Sequence, residues 1–204
     1  ESDWSSDVCS SDLATPVKDW RARVIGFRDF TVDAQPWIEN PFVRDPAALK
    51  GQLAALVADG GGDEPESLID ALYKVASTPA APAEGPEDAG MWRARYSASR
   101  AVVVFTDATY KPTMSIPEAV GGTVADLSNK CAENGIVVCL FAPDFPIYGT
   151  ITDIPRLEYF AIPLPPGANP QQALAAFTTD QANFQETLKQ LARTVSAPSP
   201  VIRA

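Results

Sequence analysis

Gly60 to Ser67 reads G-G-G-D-E-P-E-S and crowds Asp63, Glu64 and Glu66 into a glycine-rich loop that enters a helix. Downstream, Val102 to Ala108 reads V-V-V-F-T-D-A, an apolar run closed by Asp107. Carboxylates beside hydroxyls suit a hard divalent cation, and Mg²⁺ typically takes one or two carboxylates with other oxygens and water. A phosphate cradle fits poorly. Helix N-termini do bind anions, but the acids of this loop would repel one, and the spacing G-x-x-x-x-G-K-[ST] is absent. The residue two beyond Asp107 is Thr109, so a D-x-D phosphatase pattern is absent as well. Taken alone, Asp107 reads as a carboxylate capping its own loop, and the glycines as a helix stop followed by a helix start.

Those residues need elements to position them. Arg21 to Phe27 is predicted as a strand, and Gln35 to Phe42, with two prolines, as an edge strand or loop. Asp45-Pro46 starts a helix as N-cap and first helical residue. Leu49, Leu53, Leu56 and Val57 give that helix an apolar stripe that runs to the glycines. A second helix is expected from Pro65, with Leu68, Ile69, Leu72, Tyr73 and Ala76 on one face. Thr78 to Gly90 is a loop, and Met91 to Ser97 a helical turn packing Trp92 and Tyr96. Arg100 to Thr106 and Ile136 to Ala142 are continuous apolar runs, as in central strands covered on both faces. Thr109 to Thr123 is a loop, Val124 to Glu133 a helix closed by Asn134-Gly135, and Glu158 to Ile162 a last strand. A final helix is expected on Phe184, Leu188, Leu191 and Val195. Strands separated by helices predict an α/β fold with a doubly wound, mostly parallel sheet. In such sheets ligands lie outside the carboxyl ends of the strands, where Asp107 falls.

The chain has 204 residues, a formal charge of −10 and no histidine. Its length predicts one domain. Its acidity argues against nucleic acid or an anionic membrane as partner, and no run is long enough for a membrane span. Without histidine there is no imidazole base, Ser-His-Asp triad or imidazole-bound zinc. Asp3 to Leu13 reads D-W-S-S-D-V-C-S-S-D-L and resembles the in-frame translation of a common short-read sequencing adaptor. Residues 1–13 are therefore read as non-native. They carry four acids and no base, which leaves −6 of the −10 for the remainder. The true N-terminus is then expected to be missing, so the compartment is open, with the cytoplasm favoured. Cys131 and Cys139 are expected as buried thiols, and Trp20, Trp37 and Trp92 as packing residues. Arg28 and Asp29 are read as structural, paired with each other, or as lying at the rim of the site.

G-F-R-D-F at Gly26 to Phe30, G-G-G-D-E-P-E-S-L-I-D-A-L at Gly60 to Leu72, V-V-V-F-T-D-A at Val102 to Ala108 and N-G-I-V-V-C at Asn134 to Cys139 together resemble bacterial von Willebrand factor A-type domains. The likeness covers most of Trp20 to Ile162. It implies a doubly wound sheet with the first strand at its centre. It also implies a metal-ion-dependent adhesion site, in which three loops hold Mg²⁺ and a partner protein adds an acidic ligand. By motif Asp107 matches the third-loop Asp. The second-loop position falls within Gly60 to Glu64, where the family's usual Thr is absent, so Asp63 is the candidate ahead of Glu64. The first loop, D-x-S-x-S after the first strand, has no match between Ala14 and Trp20. Asp7, Cys9 and Ser11 have its spacing, but no apolar strand precedes them and they lie in the adaptor-like segment.

The resemblance therefore implies a truncated domain over residues 14–196, lacking its first strand and helix, with a flexible tail at 197–204. Its implied function is protein binding without catalysis, through a partial metal site made of Asp63 and Asp107. Mg²⁺ belongs to the intact domain and is not expected on this fragment. The alternatives are a metal-assisted hydrolase using the same two aspartates, or a scaffold that binds no metal.

Overall fold

Ile136–Pro143 is buried at every position, because it is paired along both edges and covered on both faces. In the computed structural model, residues 19–57, 64–82, 84–180, 182, 184–186 and 189 are described. The elements are β1 (Ile25–Phe27), β2 (Trp37–Glu39), α1 (Pro46–Ala54), α2 (Leu68–Ser77), β3 (Arg100–Phe105), α3 (Val124–Asn134), β4 (Ile136–Pro143), β5 (Leu157–Ile162) and α4 (Pro170–Thr179). β3, β4 and β5 form a parallel three-stranded sheet with β4 in the middle. β1 and β2 form a separate antiparallel pair. The protein is thus a mixed α/β fold with a parallel sheet.

Alternation along β4 sends its side chains to two apolar layers. Val138, Leu140 and Ala142 meet Leu68, Leu72, Leu127 and Cys131 of α2 and α3. Val137, Cys139 and Phe141 meet Leu174 and Phe177 of α4 on the other face. α3 has strong end signals. Thr123 and Asp126 form a reciprocal capping box, and Gly135 closes the helix at φ 65°. Cys131 and Cys139 are buried free thiols, as expected.

Several sequence expectations are corrected. The first strand is regular only over Ile25–Phe27, with one isolated bridge between Ala22 and Val43. Residues 35–42 do supply an edge strand, β2. The stripe predicted for α1 is not a buried face: the helix buries no residue, and Leu53 and Val57 are 56% and 68% exposed. It stops at Ala54, before the glycines. α2 begins at Leu68 rather than Pro65, with Ser67 as N-cap. Met91 to Ser97 forms turns and a bridge, not a helical turn; Trp92 is buried but Tyr96 is exposed. β3 is not covered on both faces. Among the described residues it pairs only with β4, and Val103 and Phe105 are 41% and 40% exposed. The sequence reading overlooked α4, although Asn169 caps its first turn with Pro170 at the start. Of the residues expected to define a final helix, Phe184 packs against Phe105 and Phe177. Leu188, Leu191 and Val195 lie outside the described residues, as do 1–13 and 197–204.

Burial separates two leucine truncations. Leu140→Ala removes a fully buried side chain from β4 and is expected to cost about 2–5 kcal/mol in urea unfolding. Leu53→Ala, on the exposed α1, should change stability by no more than about 0.5 kcal/mol.

Candidate metal centre

Three loops meet at the carboxyl end of β3. The first follows β1 (Arg28 to Thr31), the second enters α2 (Glu64 to Ser67), and the third follows β3 (Thr106 to Lys111). Two backbone hydrogen bonds join the second to the third: Glu66 N donates to Thr109 O, and Lys111 N to Glu66 O, both at 2.9 Å. Residues 66 and 110 thus make a short parallel bridge. Glu66, three residues after Asp63 in sequence, is thereby fixed beside the loop that contains Asp107.

Asp107 is half-buried, and no hydrogen bond or ion pair to it is found in the described structure. Its loop is held from below. Thr106 N donates to Phe141 O at 3.1 Å, which continues the β3–β4 register. Tyr148 is fully buried and donates its hydroxyl to Ala108 O at 2.5 Å. Burial, with Tyr159 beside it, raises the Tyr148 pKa, so the phenol remains a neutral donor. Tyr110 packs on Tyr148 with ring centroids 5.4 Å apart. A rigid aromatic floor supports the Asp107 loop.

The first loop brings a group whose role the sequence left undecided. Asp29 is 1% exposed, and a carboxylate so buried needs partners. Its Oδ1 accepts the amide and the hydroxyl of Thr31, each at 2.7 Å, and the Ser67 hydroxyl at 3.2 Å. Its Oδ2 forms an ion pair with Lys111, whose ammonium also donates to Thr31 Oγ1 at 2.6 Å. Ser67 Oγ in turn accepts the Phe30 amide at 3.1 Å. Burial alone would raise the Asp29 carboxyl, but the Lys111 ammonium and the Thr31 donors outweigh it and hold the pKa at about 2. Arg28 and Asp29 are therefore not each other's partners. Arg28 donates instead to Val57 O at 3.2 Å. The only sequence signal for this cluster was an acid just past a strand and a lysine beyond the next one.

Of the predicted metal residues, Asp107 lies at the carboxyl edge, Asp63 lies outside the described residues, and Glu64 is exposed. Among the described residues, no three His, Cys, Asp or Glu side chains are grouped so as to hold a metal ion. Asp29 is already neutralised by Lys111, and the Ser67 hydroxyl is committed to Asp29. Among the described residues of these loops, Asp107 offers a half-buried carboxylate without a hydrogen bond or ion pair. That donor set does not fit a tightly held Mg²⁺, which needs a fuller oxygen shell.

The Asp29 cluster makes stability depend on pH in a defined direction. The folded-state pKa is about 2 against an ordinary 3.8. The stabilisation is therefore fully present above about pH 4 and lost as pH falls toward about 2. Asp29→Asn is expected to cost about 2 kcal/mol at pH 7. The gap between wild type and variant, measured by urea unfolding, should be flat from pH 8 to 5 and close between pH 4 and 2.

No family model matches the chain, and no curated protein matches it.

Proposed function

We propose that this chain is the larger part of a von Willebrand factor A-type protein-interaction domain whose metal-dependent adhesion site is incomplete. The observation that carries the reading is the pair of backbone bonds between Glu66 and the Thr109–Lys111 segment. By motif these are the second and third metal loops, and they lie side by side at the carboxyl edge of a parallel sheet, where α/β folds place their ligands. Asp107 is the third-loop ligand and has no competing partner. Asp63, in the second loop, is the other carboxylate of the proposal.

The division of the sheet supports the same reading. The resemblance implies a first strand at the sheet centre, carrying D-x-S-x-S at its carboxyl end. Here β1–β2 and β3–β4–β5 stand as separate sheets, and the break between them is the place for such a strand. In a complete domain, Mg²⁺ at these loops would take an acidic side chain from a partner protein. The doubly wound, mostly parallel topology of the family belongs to the same proposal. Metal-assisted hydrolysis has less support: two clefts of about 410 and 340 Å³ are lined, among the described residues, by no carboxylate.

Calorimetry tests the incompleteness. Mg²⁺ added to this chain should give no saturable binding up to about 10 mM, beyond the millimolar range of weak all-oxygen sites. A micromolar dissociation constant would overturn it. The family reading has its own test. The upstream coding sequence should encode an apolar strand followed by D-x-S-x-S. A chain extended by that strand should bind Mg²⁺, and Asp107→Asn should abolish the binding. An extended chain that binds no metal sinks the assignment.

A further inference from the structure

The oxygens around the Lys111 ammonium are arranged by groups other than Lys111. Asp29 Oδ1 is filled by three donors: the Thr31 amide and hydroxyl at 2.7 Å each and the Ser67 hydroxyl at 3.2 Å. A hydroxyl has one proton to give. The Thr31 proton goes to Asp29, so toward Lys111 the Thr31 oxygen can only accept, as it does at 2.6 Å. The Ser67 proton goes to Asp29 as well, while its oxygen accepts the Phe30 amide at 3.1 Å. What remains is a fork of two acceptors, Asp29 Oδ2 and Thr31 Oγ1, and the ammonium sits on both. The Asp33 carboxylate accepts the Asp29 amide at 3.1 Å and adds a second negative charge to the same loop.

Such a fork attracts a positive charge whether or not that charge is tethered. The Asp29 carboxylate is 1% exposed and needs a counter-charge in place of water. The Lys111 side chain is 19% exposed, so the position it fills is open to solvent. The Lys111 backbone is held independently of its side chain, by the amide bond to Glu66 O at 2.9 Å. Truncating the side chain therefore leaves the loop anchored and both acceptors aimed at the vacated position. One direct carboxylate balances one positive charge. Mg²⁺ would keep an excess charge and demand a near-octahedral shell that two oxygens do not supply. Potassium and ammonium ions carry the single charge of the lysine at a similar size.

We propose that the pocket made by Asp29, Thr31 and Ser67 is a monovalent-cation site that Lys111 fills from within the chain. Potassium or ammonium is the free ligand it takes once the lysine is removed. In the intact chain the tethered ammonium binds without giving up the translational freedom that a free ion must lose. The three loops therefore converge on a built-in cation and need no bound ion. The inference goes beyond the adhesion-site reading and does not rest on it, since neither Asp63 nor Asp107 takes part.

The test is urea unfolding of the full chain carrying Lys111→Met, which keeps an apolar stem and removes the charge. Potassium, ammonium and choline chlorides are compared at equal ionic strength, choline being too bulky for the pocket. Potassium and ammonium should each raise the variant's folding constant at least about tenfold over choline, the factor for about 0.3 M ion at a dissociation constant of about 30 mM. The wild type should be equally stable in all three salts. The double variant Asp29→Asn, Lys111→Met should lose the dependence. A Lys111→Met chain that folds in potassium but not in choline supports the site in the same way. Should it fold in none of the salts, Lys111→Ala with propylammonium chloride decides: recovery of folding supports the site, and failure to recover overturns it. Equal stability of Lys111→Met in the three salts also overturns it, as does a dependence that survives in the double variant.

Discussion

The buried carboxylate of Asp29 is the constraint on which the arrangement of this molecule turns. A charge with 1% exposure cannot be left unsatisfied, and its partners come from three separate places in the chain: Thr31, Ser67 and Lys111. They are the end of β1, the cap of α2 and the loop after β3. Among the described residues no strand pairing connects the two sheets, and this cluster ties their carboxyl ends together. Beside these contacts, the bridge at Glu66 sets the Asp107 loop against the segment that enters α2. Fold and candidate site therefore share one anchor.

The second link is apolar. α2 carries Leu68, Leu72 and Val75 on a face that packs with the parallel sheet, and Ile25, Phe27 and Trp37 of the hairpin pack against the same cluster. The helix spans the break that the backbone leaves open. This is why the hairpin holds its place without sharing a hydrogen bond with β3. On the opposite face, among the described residues, α1 buries nothing and α4 lies over β4 and β5; Phe184 reaches Phe105, which with Val103 stays partly exposed.

What was legible in the sequence follows from how local each signal is. The α3 caps, the run of β4 and the order of strands and helices could be read because each depends on residues within a few positions. The α1 stripe could not be judged, since periodicity shows that a face is apolar and not that anything lies over it. β3 misled for a related reason. An apolar run of strand length fits a central strand, but being central requires two neighbours, and neighbours are a tertiary fact. In the site, Asp107 was legible because it ends such a run. The Asp29–Lys111 pair was not, because 82 residues separate its members and neither stands in a recognisable motif.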